Sequence, residues 1–208
     1  LSASSFDENI PAGSTVATLV TTDPDVGNTF TYSLVSGSGD SDNGAFSIDG
    51  NRLLIQASPD FESKSSFNLR IRSTDQGGLS VERAVILAVT NLNDGPATFA
   101  IAGTRAVGQT LTATVATPDP DGNGTFSHTW QASANGSTWS TIGTGAELTI
   151  APAQEGQQLR LLTAYTDGGG FSESVTTPAG TIPFVNDGQA SFSVSGTRAV
   201  GQTLTAAV

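Results

Sequence analysis

The chain has 208 residues, 37% of them hydrophobic, and sets 8 basic against 19 acidic side chains for a net charge of −11. That length accommodates two domains of roughly 100 residues each. So one-sided a charge repels nucleic acid and anionic lipid and attracts cations. No apolar run is long enough to cross a bilayer, which excludes direct membrane insertion by a helix. Residues 1–20 lack the basic start and apolar centre of a signal peptide, so any export signal is expected outside this stretch. There is no cysteine. Small secreted domains often depend on disulfides; without them, a metal ion bound only by the folded state is an alternative source of stability.

In chain order, residues 14–21, 29–34, 52–56, 67–73 and 81–89 are rich in β-branched, aromatic and alternating apolar positions and are read as strands. Turn-forming clusters separate them: Asp23-Pro24-Asp25, residues 36–44, Ser58-Pro59-Asp60 and Asp75-Gln76-Gly77-Gly78. No window carries a helical period. About seven short strands in about 90 residues is the pattern of a Greek-key sandwich. The expected fold is therefore all-β, as tandem Greek-key β-sandwiches.

A long repeat sets the organisation. The ten residues from Gly103 to Thr112 (GTRAVGQTLT) return from Gly196 to Thr205, an offset of 196 − 103 = 93, and Asn93-Asp94-Gly95 returns as Asn186-Asp187-Gly188 at the same offset. A period this long marks an array of whole domains. The expected units are residues 1–96, residues 97–187 and a truncated third repeat over 188–208.

The acids of the first domain follow a fixed order: Glu8, Asp23-Pro24-Asp25, Asp60-Phe61-Glu62, Asp75, then Asn91-Leu92-Asn93-Asp94 at its exit. With Ala45-Phe46-Ser47-Ile48-Asp49 and Val89-Thr90 before the exit, this order resembles a cadherin repeat over residues 6–96. The resemblance implies bound Ca²⁺, a hard ion that takes about 6–8 oxygens at roughly 2.3–2.6 Å. It implies that Glu8, Asp60, Glu62, Asn91, Asn93 (through its carbonyl) and Asp94 meet at one pole. Asp23, Asp25 and Asp75 would then lie at the opposite pole, serving a preceding repeat. The second domain carries Asp119-Pro120-Asp121 and Asp167 in the matching order, and these are expected to complete the first set. Asn91 stands where cadherins usually have aspartate, and Gly95 where they often have asparagine. Those departures imply two well-held ions rather than three.

Elsewhere the second domain departs from that pattern. Residues 103–111, Trp130–Trp139 (WQASANGSTW) and 155–160 (EGQQLR) resemble immunoglobulin-like repeats of large bacterial surface proteins. Asp119–Gly124 imitates the start of an EF-hand loop, but position 130 is Trp rather than the closing Glu. The second linker, at Asn186-Asp187, lacks the full acid set and is expected to bind calcium poorly. Trp130 shares strand parity with Phe126 and His128 and is read as a core residue. Trp139 follows the Asn135-Gly136 turn and is the candidate for a sugar-stacking platform. His128 is the single histidine, and no nucleophile–base pair or Gly-x-Ser-x-Gly elbow accompanies it. The reading is a non-enzymatic, calcium-stiffened module of a large secreted or cell-surface bacterial adhesin. Its partners would be neighbouring repeats and a cell-surface protein or polysaccharide. The alternative is a calcium-dependent carbohydrate-binding module of a secreted polysaccharide-degrading protein.

Overall fold

The computed structural model describes residues 1–24, 27–185 and 193–207. Seven strands build the first sandwich: β1 (Ser5–Asp7), β2 (Thr15–Thr18), β3 (Phe30–Leu34), β4 (Phe46–Asp49), β5 (Arg52–Ile55), β6 (Ser66–Asp75) and β7 (Ser80–Thr90). They form a four-stranded sheet in the order β1-β7-β6-β3 and a three-stranded sheet β2-β5-β4. The short β1 runs parallel to β7, with Phe6 opposite Val89. The long β6 and β7 pair antiparallel over most of their lengths.

Side-chain alternation explains why β6 lies where it does. Phe67, Leu69, Ile71 and Ser73 turn inward and are buried while their neighbours face outward, the two-residue period of a sheet covered on one face. Inside, the rings of Phe6, Phe46 and Phe67 meet at centroid distances of 5.2–6.3 Å, stacked or edge-on. They join strands of both sheets, with Leu53, Leu69 and Leu87 fully enclosed around them. The length of β6 also separates two sets of acids. At about 3.3 Å per residue, its ten residues place Asp75 roughly 30 Å from the turn that carries Asp60 and Glu62.

The second sandwich is built from β8 (Thr98–Ala102), β9 (Thr110–Thr117), β10 (Ser127–Ser133), β11 (Ser140–Thr144), β12 (Glu147–Thr149), β13 (Gln158–Thr166) and β14 (Ser172–Thr181). Its sheets run β11-β10-β13-β14 and β12-β9-β8. Trp130 is its centre: fully enclosed, packed with Leu111, Ile150, Leu159 and Leu161, and donating its indole N–H to the Gly145 carbonyl at 3.0 Å. No α-helix occurs among the described residues; two three-residue 3-10 turns are the only helical pieces there.

The 93-residue repeat has a structural counterpart. Just as β8 and β9 follow each other in the second sandwich, β15 (Ser193–Ser195) and β16 (Thr205–Ala207) form an antiparallel hairpin around the second copy of the motif. Gly103 and Gly196 both adopt positive φ, at 114° and 125°. A Cβ at Gly103 would overlap the Thr110 carbonyl, and one at Gly196 would meet the Thr203 carbonyl. Glycine is required at both places because the strands close on the backbone itself.

By contacts the chain separates into two compact units. One comprises Leu1–Thr98 with Thr117–Thr125 and Tyr165–Glu173; the other comprises Phe99–Ala116, Phe126–Ala164 and Ser174–Val208. The β9–β10 and β13–β14 loops, which carry Asp119, Asp121 and Asp167, thus belong with the first unit.

Candidate metal centre

Glu8 follows β1 and is 1% exposed, a burial that carboxylates tolerate only with partners. Its Oε1 accepts the Leu92 N–H at 2.7 Å and its Oε2 the Phe61 N–H at 2.8 Å. One side chain therefore joins the end of β1, the 58–62 turn and the exit segment. Asp60 caps that turn, accepting the Ser63 N–H and hydroxyl at 3.0 Å each, and these bonds hold its carboxyl below the usual aspartate range. Glu62 moves the other way. Desolvation pushes its carboxyl above the ordinary value, with the charges of Glu8, Asp121 and Asp60 adding to the effect.

The second group comes from the two loops. Asp119, Asp121 and Asp167 are 4%, 6% and 6% exposed. Asp119 Oδ1 accepts the Asp121 N–H at 2.9 Å, Asp121 Oδ2 accepts the Asp94 N–H at 2.8 Å, and Asp167 Oδ1 accepts the Phe171 N–H at 2.8 Å. The loops touch main chain to main chain, with the Gly168 N–H on the Gly122 carbonyl at 2.9 Å. Gly124 makes this approach possible, since a Cβ there would overlap the Thr166 carbonyl oxygen. We expect Gly124→Ala to force the loops apart, at a cost of about 1–3 kcal/mol in denaturant unfolding.

Each group of three, Glu8/Asp60/Glu62 and Asp119/Asp121/Asp167, brings carboxylate oxygens within 4.8 Å of one another. That is the spacing of ligands across an ion held at about 2.4 Å. The hydrogen-bond inventory points the same way. Among the described residues, three buried side-chain polar atoms have no hydrogen-bond partner: Asn91 Oδ1, Asp121 Oδ1 and Asp167 Oδ2. Such orphaned acceptors cost about 1–3 kcal/mol apiece. All three are oxygens of residues in the sequence-read ligand set, and in both aspartates the other oxygen is fixed by a main-chain N–H. The donor set is all oxygen, which suits a hard cation such as Ca²⁺.

Of the other expected ligands, Asn93 donates its amide to Glu173 Oε1 and accepts the Gly95 N–H, and Asp94 takes a hydrogen bond from Asn9. Asn9, Glu173 and Tyr165 support the centre without having been read from the sequence. Asn9 sits at φ 60°, a left-handed turn that asparagine tolerates. At the far end of β6, Asp75 Oδ1 accepts the Leu79 N–H at 2.8 Å, and Asp23 and Asp75 border the same open groove. Asp25, like the Asn186-Asp187 linker, lies outside the described residues.

The remaining candidates are absorbed by packing. His128 Nδ1 pairs with Thr163 Oγ1 at 2.8 Å and its ring stands edge-on to Phe99, while burial holds its pKa below the usual imidazole value. Trp139 is half-buried, with the Arg160 guanidinium 4.1 Å from its ring centre.

The chain is thus a pair of tandem β-sandwiches in which two groups of three carboxylates converge. In sequence it is similar to short stretches of protocadherins. It is 30% identical over 203 residues to Protocadherin Fat 4 of Mus musculus, covering 91% of this chain and 4% of that protein. It is 36% identical over 93 residues to Protocadherin beta-1 of Homo sapiens, covering 43% of this chain and 11% of that protein. The chain thus spans only a small part of these relatives. No family model matches. Among solved structures, a protocadherin gammaB7 EC3-6 cis-dimer aligns with a TM-score of 0.48 at 19% identity, over 90% of this chain and 46% of that one.

Proposed function

We propose that the chain is a calcium-rigidified repeat module of a large secreted or cell-surface adhesin, with a structural and adhesive role and no catalytic one. The observation that carries this is the orphaning of Asn91 Oδ1, Asp121 Oδ1 and Asp167 Oδ2, buried oxygens without donors among acids that repel one another. Glu8, Asp60, Glu62, Asn91, Asn93, Asp94, Asp119, Asp121 and Asp167 would hold the ions. Bound calcium supplies positive charge that offsets seven carboxylates and fixes the 117–125 and 165–173 loops to the exit segment. Asp23, Asp25 and Asp75 would serve a preceding repeat in the same way.

In this reading residues 1–96 form a cadherin-like repeat, residues 97–187 an immunoglobulin-like one, and residue 188 opens a third. The likeness of residues 103–160 to repeats of bacterial surface proteins supports a bacterial adhesin as the parent. Neighbouring repeats are the nearest partners; a cell-surface protein or polysaccharide is the distal one. The likeness to protocadherins supports an extracellular setting. The carbohydrate-binding alternative is weakened at Trp139, where the Arg160 guanidinium lies over one face of the ring.

Calorimetric titration tests the proposal. Calcium should bind with a Kd of roughly 0.1–1 mM, the range of extracellular calcium modules. Glu62→Ala and Asp121→Ala should each remove the same sites. A flat wild-type titration, or substitutions that leave all sites intact, would refute it.

A further inference from the structure

We propose that the Tyr165 hydroxyl is a positioning residue for the calcium ligand Asp119, locking that carboxylate to the main chain at Ala97; the inference rests on the calcium reading above. Tyr165 lies near the end of β13, two residues before Asp167. Its Oη is 2.6 Å from Asp119 Oδ2 and 2.6 Å from the Ala97 nitrogen. The direction of both bonds follows from chemistry. An amide N–H can only donate and an ionised carboxylate can only accept, so the phenolic proton points to Asp119 and an Oη lone pair receives Ala97. All three residues are buried, at 6%, 4% and 0% exposure, so water cannot take over either bond.

The arrangement leaves Asp119 fully constrained. Its Oδ1 is held by the Asp121 N–H and its Oδ2 by Tyr165, with the remaining lone pairs free for an ion shared with Asp121 and Asp167. The first domain solves the same position differently. Two residues before Asp75 stands Ser73, whose Oγ pairs with Thr21 Oγ1 at 2.7 Å, itself two residues before Asp23. A serine at 165 would fall short of both Asp119 and Ala97, so the bridge is a property of the long aromatic alcohol. It makes the 94–97 segment sense the state of the acid cluster at two points, through Asp94 N–H on Asp121 and through Ala97 N–H on Tyr165.

The test is Tyr165→Phe in the full 208-residue chain. Calcium affinity should fall roughly 10- to 100-fold, as when an outer partner of a metal ligand is removed. The Ala97 amide should exchange faster with solvent deuterium both with and without calcium. Asp121→Asn should weaken calcium binding while the Ala97 amide stays slow, which separates positioning from general loss of the site. Equal calcium affinity in wild type and Tyr165→Phe overturns the inference and leaves the calcium reading standing. A wild-type chain that binds no calcium overturns both, and its flat titration identifies that case. If Tyr165→Phe does not fold, the Tyr32→Phe chain gives a second route, because Tyr165 is then the only tyrosine. Its ring resonances should shift in the NMR spectrum when calcium is added, which supports the placement; ring resonances that calcium leaves unmoved overturn it.

Discussion

Asp121→Asn will invert its own effect on stability with calcium: the variant melts above the wild type in chelator and below it in saturating calcium. Without metal, Asp121 is a nearly buried charge grouped with Asp119 and Asp167, and its field adds to the upward push on Glu62. Asparagine keeps an oxygen for the Asp94 N–H now held by Oδ2, and it turns the orphaned Oδ1 position into a donor among acids. The metal-free state should gain about 1 kcal/mol, or roughly 4–8 °C in melting temperature for a domain of this size. With metal the order reverses. At 100 times its Kd a bound ion contributes about 2.7 kcal/mol to the wild type, and the variant forfeits much of it. Differential scanning calorimetry of both chains in chelator and in calcium reads all four states. Parallel behaviour of the two chains in both conditions would mean that Asp121 holds no ion.

The second large effect is expected at Trp130. Trp130→Ala empties the centre of the second sandwich and strands the Gly145 carbonyl that the indole now satisfies. Truncations of this kind cost about 3–5 kcal/mol, a large share of a total stability of about 5–15 kcal/mol. The damage should spread. Asp119 and Asp121 sit between β9 and β10, and Asp167 between β13 and β14, so loosened strands no longer aim those carboxylates. Urea titration should show the loss directly, and calcium affinity should fall with it. Trp139→Ala, at a half-buried ring covered by Arg160, serves as the mild control.

What could be read in advance depended on how local its cause was. Alternation exposes β6 because Phe67, Leu69 and Ile71 share a parity, and the same rule placed Trp130 inside. β1 was missed because three residues carry no period, and its parallel pairing with β7 depends on Phe6 finding Val89 more than eighty residues away. β4 was read only as a motif around Phe46. The candidate acids stand out in the sequence as spaced turn carboxylates, and Glu8, Asp60 and Glu62 do converge. Their supports were not. Asn9 matters through one turn conformation, and Glu173 through a meeting with Asn93 that no spacing reveals. Tyr165 left a usable clue: it shares inward parity with Leu161 and Thr163, and a buried phenol needs a partner for its hydroxyl.

The two main-chain N–H groups that converge on Glu8 restrict what evolution can write at that position. A carboxamide of equal length must turn its NH₂ toward either Phe61 or Leu92, setting donor against donor whichever way it flips. Aspartate is one methylene shorter and cannot span both. Glutamate at residue 8 is thus demanded by peptide geometry alone, before any cation arrives, and drift there would unpick the junction from its earliest residues.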